Sequence, residues 1–297
     1  MASKRKPSPA PPSFCVPRED ADRFSALCAE ALLLPRSEGE DGIGTLGEKR
    51  LHAVIKRYLS ADEDTHEVKL EGTRYVSDVR CGEQIFEVQT GAFYPLRQKI
   101  AYYLEHTDCT VTLVHPICVD KWVMRFDPET GEASERRRSP RQGRAVDLLA
   151  KLSCLAEHFS HPRLEVRLLL LEALDVRIPA GRGASRWRRT RLYERLPLSL
   201  RGELHLRTPA DLRALLPDTL PPRFTVKTFS ACTHLRGRDA YSAVQTLLTL
   251  GLLLRTDEQE GRARVFALTR NKDAGVFVGD FLKKVPHTPQ KLPNKKD

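Results

Sequence analysis

GTLGEKRLHAVIKRYL (44–59) and TRYVSDVRCGEQIFEVQT (73–90) are the segments whose reading decides the fold. In the first, Leu51, Val54, Ile55 and Tyr58 fall at i, i+3, i+4 and i+7, the spacing of a helix with one buried stripe. The second carries two runs of β-branched and aromatic residues around Cys81-Gly82, which predicts a hairpin over Arg74–Arg80 and Gln84–Thr90. With His66–Leu70 before it, a helix lies on a three-strand meander.

A two-residue turn at Cys81-Gly82 sets Arg80 against Glu83 and Asp78 against Ile85. Glu87 is then the diagonal neighbour of Asp78 on one face, about 7–8 Å away at the backbone, a gap that two carboxylates can close around one cation. Gln89 shares that face because strand side chains repeat every second residue. Glu48 stands on the flank of the helix stripe, within reach of the same place. Hard cations such as Mg2+ or Mn2+ take a few oxygen ligands and keep waters, so Asp78, Glu87 and the Val88 carbonyl suffice as metal ligands. Gln89 would then orient the attacking water. Each residue also has an ordinary reading. Thr45-Leu46-Gly47-Glu48 is equally a capping box, and Asp78, Glu87 and Gln89 can be strand-end or surface residues.

Further along, Phe93 to His106 returns to helical spacing, and Thr110–Pro116 is an apolar, β-branched strand. The order helix, three strands, helix, strand, with Glu48, Asp78 and Glu87-Val88-Gln89 at their positions, resembles the restriction-endonuclease-like PD-(D/E)xK nuclease superfamily over about residues 44–117. That resemblance implies an α/β αβββαβ core and metal-dependent cleavage of phosphodiester bonds. Two positions depart from the pattern: Ser77 precedes Asp78 in place of proline, and Gln89 replaces the usual lysine. An amide orients water but lends it no positive charge. Lys99, on the following helix, is either a surface lysine or a cation supplied to the site from another element.

Lys121–Phe126 and Ala133–Arg137 read as a hairpin around Asp127–Gly131, followed by a basic loop RRRSPRQGR (136–144) and a helix over Ala145–Phe159. LEVRLLLLEAL suits a strand or a helix, and a strand over Glu165–Asp175 is the preferred reading. The segment 181–207 is an Arg-rich connector with a short strand at Glu203–Arg207. Within it, Arg186, Arg188, Arg189 and Arg191 lie around Trp187 and Tyr193 as phosphate-contacting and stacking groups. Thr208-Pro209-Ala210-Asp211 opens a short helix. Helices over Thr225–Cys232 and Arg238–Leu250, then paired strands Leu252–Arg255 and Arg264–Leu268, make FTVKTFSACTHLRGRDAYSAVQTLLTLGLLLRTDEQEGRARVFAL (224–268) resemble a winged helix-turn-helix. Docked as such modules dock, it would present Arg236, Arg238, Tyr241 and Gln245 to DNA, with Arg262 and Arg264 at the wing. A winged helix used for protein contact is the alternative.

The expected organisation is a tail and short helix over 1–36, a restriction-endonuclease-like domain over 37–180, the connector, a small α+β winged-helix domain over 208–270 and a basic tail with six lysines over 271–297. The net charge of +10 is uneven: residues 37–110 hold 9 basic and 14 acidic side chains, so the excess of positive charge lies elsewhere. An acidic cation site inside a basic protein suits a polyanionic partner, double-stranded DNA before RNA. Self-association into a homodimer is compatible with it. Seven cysteines without CxxC pairs describe neither a disulfide framework nor a structural zinc site, although Cys154, His158 and His161 lie close in sequence. No run of about 18 apolar residues occurs, and MASKRKPSPAPPS lacks an apolar signal core, so a cytoplasmic protein with no membrane segment is expected. The wider layout, with HEV, EVQT, LRQK, VHPI and RRSP, resembles a family of bacterial proteins, a likeness that implies no activity. A DNA-binding regulatory or adaptor protein on a degenerate nuclease core is the rival expectation.

Overall fold

The stripe of Leu51, Val54, Ile55 and Tyr58 is buried as its spacing requires, on a helix α2 over Leu46–Leu59. A computed structural model describes residues 16–33, 46–180 and 190–269, with the side chains of 46–49 outside that description. Helix α1 (Arg18–Leu33) packs beside α2, its Phe24 ring edge-on to Tyr58 at 5.2 Å. Strands β1 (His66–Lys69), β2 (Val76–Cys81) and β3 (Gln84–Val88) follow as an antiparallel meander.

The hairpin register differs from the expected one by two residues. Cys81 pairs with Gln84, Arg80 with Ile85 and Val79 with Phe86. The turn is therefore Gly82-Glu83, and Gly82 supplies the positive φ of +59° that a tight hairpin favours in its first turn residue. Asp78 is thereby level with Glu87 instead of diagonal to it, on the same face.

After a 3-10 turn (Tyr94–Leu96), α3 (Arg97–His106) crosses to β4 (Thr110–Arg125), which runs parallel to β3. β4 does not end at Pro116. Val114 accepts a hydrogen bond from the Gln89 N–H, so the missing N–H of Pro116, two residues on, falls on the same side, past the end of β3. Released from β3, β4 continues along β6 (Leu164–Pro179), to which it is also parallel. Its far end meets the short β5 (Arg137–Arg138) through the Asp127–Gly131 turn. The ambiguous segment over 164–178 is therefore a strand.

Residues 190–206 are not a connector with a short strand at its end. They form one 17-residue strand, β7 (Thr190–Leu206), antiparallel to β6. Three register shifts interrupt the pairing, and such bulges offset the two-residue alternation that marks a strand in sequence. The sheet order is β1-β2-β3-β4-β6-β7. The helix expected over Ala145–Phe159 is shorter: α4 (Asp147–Lys151) tightens into a 3-10 turn, where Ser153 and Cys154 bond carbonyls three residues back.

The last described segment is a 3-10 turn (Pro209–Leu215), β8 (Arg223–Phe224), α5 (Val226–Thr233), α6 (Arg238–Thr249), β9 (Leu253–Glu260) and β10 (Ala263–Leu268), with strand order β8-β10-β9. The hairpin turn is confined to Gly261-Arg262, because β9 runs on past Arg255 through Glu260. Two cores flank the large sheet. One holds α1 and α2 against Val79, Phe86, Val88 and Leu169. The other runs from α3 and α4 into the C-terminal helices without a break: Leu148, Leu152, Phe229, Val244 and Leu247 share it. The chain is thus a mixed α/β protein, and among the described residues no helix is long and apolar enough to cross a membrane.

Candidate functional site

Asp78 and Glu87 come together where β2 and β3 stop pairing. The Gln89 N–H points to β4, so the Val88 N–H points to β2, and there it meets the Asp78 carboxylate in place of a backbone carbonyl: Val88 N donates to Asp78 Oδ2 at 2.7 Å. His52 of α2 reaches the same oxygen, its Nε2 at 3.3 Å. Burial opposes the charge of Asp78, but the His52 contact, the Val88 N–H and the nearby Lys99 outweigh it and hold the carboxyl below its usual range. Asp78 Oδ1 has no hydrogen-bond partner among the described residues.

Glu87 is only 1% exposed. Lys99 Nζ donates to its Oε2 at 2.6 Å and the Tyr103 hydroxyl to its Oε1 at 3.1 Å. Desolvation is the largest influence on this carboxyl; it outweighs Lys99 and, with the Asp78 charge beside it, pushes Glu87 up to about 7. Burial, followed by the Glu87 charge, pushes the Tyr103 hydroxyl far above its ordinary range, so it remains a proton donor.

The Gln89 side chain lies elsewhere. Its amide nitrogen donates to the Ala92 carbonyl, which folds it into the loop after β3. The backbone carbonyl of Gln89 meets Nδ1 of His115. Burial pushes His115 down to about 3, so it is the neutral imidazole, with its proton on Nδ1 as donor to that carbonyl. Lys151 donates to the Gly91 carbonyl at 3.2 Å, and the loop leaving β3 is pinned from both sides.

Glu48 lies in the first turn of α2, one turn before His52, and its side chain is outside the described residues. Positions four apart share a helix face, and His52 reaches Asp78 from that face. Among the described residues there is no group of three or more His, Cys, Asp and Glu arranged to hold a metal, the Cys154, His158 and His161 trio included. Sequence reasoning did not single out His52 or Tyr103. The available signal was the same four-residue spacing: Glu48 to His52, and Lys99 to Tyr103.

Of the arginines expected to meet nucleic acid, Arg186, Arg188 and Arg189 lie outside the described residues, and Arg191 is a half-buried member of β7. Its neighbour Arg195 is committed within the sheet, with Nε and Nη2 at 2.6 and 3.1 Å from the two oxygens of buried Asp175. Arg236, Arg238, Tyr241, Gln245, Arg262 and Arg264 are all exposed, Arg238, Tyr241 and Gln245 along one side of α6 and Arg262 in the β9–β10 turn.

Comparison with known proteins covers the same architecture. A protein of Treponema pallidum (strain Nichols), described as uncharacterized, is 25% identical over 183 residues, which span 61% of this chain and 71% of that protein. No solved structure matches the chain. The family model described as Domain of unknown function (DUF8091) matches residues 49–207, from the first turns of α2 to the end of β7. That span holds Asp78, Glu87, Lys99 and Tyr103 and is more than half of the chain, which therefore belongs to the DUF8091 family.

Proposed function

We propose that the chain is a divalent-cation-dependent nuclease acting on DNA, with a C-terminal winged-helix-like module that holds the duplex. The observation that carries this reading is the Asp78–Glu87 pair at the divergence of β2 and β3, with Lys99 on Glu87. The two carboxylates are oxygen donors of the kind a hard cation takes, and Asp78 Oδ1 has no hydrogen-bond partner among the described residues. Such a cation, Mg2+ or Mn2+, neutralises charge on the scissile phosphate and lowers the pKa of a bound water.

The protein's own groups divide the remaining work. Asp78 and Glu87 would hold the cation, and the Val88 N–H fixes Asp78 in place. Tyr103 holds Glu87 in its rotamer. Lys99, on Glu87 in this structure, would supply the ammonium that a lysine on β3 supplies in the nuclease pattern. It comes from α3, one element later, while Gln89 secures the loop. In the C-terminal segment, the order β8, α5, α6, β9, β10 and the exposed row Arg238, Tyr241 and Gln245 support the winged-helix reading and its contact with the major groove.

Supercoiled plasmid with Mg2+ or Mn2+ tests the proposal. The unmodified chain should nick it, Asp78→Ala with Glu87→Ala should not, and both should bind DNA alike. Lys99→Ala should lower the nicking rate by about 100-fold or more while retaining cation binding, in the range of a lost acid–base partner. Equal nicking by the double variant sinks the assignment. A non-catalytic DNA-binding protein is the second reading, favoured by one observation: both Glu87 oxygens already have donors, Lys99 and Tyr103. Absence of nicking by the unmodified chain, with DNA binding intact, would establish that reading.

A further inference from the structure

The loop RRRSPRQGR (136–144) holds five arginines and no acid. Most charge runs of this kind are loosely solvated, but this one is fastened along its length. Ser139 N donates to the Lys121 carbonyl and Gly143 N to the Cys118 carbonyl, both at 2.7 Å. Buried Ser139 closes the turn between them through Arg141. Gly143 lies so close to β4 that a Cβ there would stand 2.7 Å from Ile117 Cγ2.

The arginines divide into anchored and free ones. Arg136 lies over the Trp122 ring at 5.2 Å, and Arg138 pairs with Asp120. Arg144 pairs with Asp147 at 3.0 Å and reaches the Thr233 carbonyl at 2.9 Å, at the end of α5. Arg141 is exposed, with no ion pair or side-chain hydrogen bond among the described residues, and so is Arg137, which alternates with Arg138 along β5 and stands on the opposite face. Through Arg144 the loop abuts the α5–α6 turn, where Arg236 and Arg238 are exposed. The acids of the neighbourhood, Asp127, Glu129, Glu132 and Glu135, lie before the loop toward the hairpin tip, and Asp239 follows Arg238.

We propose that the anchored arginine loop and the α5–α6 turn form one track for a nucleic-acid phosphate backbone, leading along β4 to the Asp78–Glu87 end of the sheet. The proposal rests on the nucleic-acid reading above and adds the surface that takes the backbone. Val88 pairs with Val114, and the loop is tied to β4 at Cys118 and Lys121, four and seven residues further on. At about 3.3 Å per strand residue these ties lie about 13 and 23 Å from the carboxylates. A duplex rises about 3.4 Å per base pair, so the track meets the backbone about four to seven base pairs from the cleavage point. Arginines with free guanidinium groups, carried on a fastened loop, contact phosphate without reading sequence.

The test is fluorescence anisotropy of the full chain with a labelled DNA duplex across a salt series. Arg141→Ala with Arg236→Ala should weaken binding, and the dependence of log K on log salt should become shallower by about 2, one for each lost phosphate contact. Arg141→Lys with Arg236→Lys should keep the slope of the unmodified chain. Asp78→Ala with Glu87→Ala should bind the duplex no more weakly than the unmodified chain, and should it still nick plasmid, the cation site falls while the track stands. An unchanged slope in the Arg141→Ala, Arg236→Ala variant overturns the track, as does failure of the lysine variant to keep it. Absence of duplex binding by the unmodified chain, or equal competition from polyglutamate, overturns it as well.

Discussion

At the scale of single residues, the environment of Glu87 sets two demands against each other. Burial pushes its carboxyl up to about 7, and Lys99 and Tyr103 supply the donors that make its charged form tolerable. A cation at this site would take the carboxylate form, so below about 7 it would first displace a proton. Cation affinity should therefore rise about tenfold per pH unit up to about 7 and level off above it. Calorimetric titration with Mn2+ at pH 6 and pH 8 checks the sign: tighter binding at pH 8, with proton release at pH 6. The group also bears on stability. With its folded pKa above the unfolded value, the unfolded chain binds fewer protons between about 4.5 and 7, so stability from this group falls as pH rises through that window. Glu87→Gln should remove that slope.

At the scale of elements, the meander, α2, α3 and the start of β4 were legible because each carries one unbroken period: 3.6 in Leu51, Val54, Ile55 and Tyr58, and β-branched runs between glycines in the strands. The face shared by Asp78 and Glu87 was legible for the same reason, although the turn lies one residue later than Cys81-Gly82 suggests. What was not legible depends on distant contacts. β4 passes through Pro116 only because β3 has already ended, and β7 is disguised by its bulges. Lys99 on Glu87 likewise needs α3 laid over β3, which spacing within α3 cannot reveal. The arginine loop is a prediction of its own at this scale. Gly143→Ala forces its Cβ against Ile117 and the Cys118 carbonyl, and such overpacking costs about 1–3 kcal/mol. Thermal unfolding should register that loss, and duplex binding should weaken with it as the loop lifts from β4.

Across the whole molecule, the sheet and the C-terminal helices share apolar side chains. Leu148 and Leu152 pack in one cluster with Phe229, Val244 and Leu247, and the Thr246 hydroxyl donates to the Leu149 carbonyl at 2.7 Å. Such continuity makes the two parts one cooperative unit. Calorimetry of the full chain should give a single unfolding transition, and two separated transitions would contradict the shared core. The same continuity ties the arginine loop, the α5–α6 turn and the carboxylates to one frame, with β4 as its spine.

That frame matters only if the Asp78–Glu87 pair binds a cation. Crystals soaked in Mn2+ and measured at the manganese absorption edge ask this directly. The account predicts an anomalous peak about 2.0–2.3 Å from oxygens of both Asp78 and Glu87, with Lys99 displaced from Glu87. An empty site at saturating Mn2+, with the Lys99–Glu87 pair intact, would contradict it.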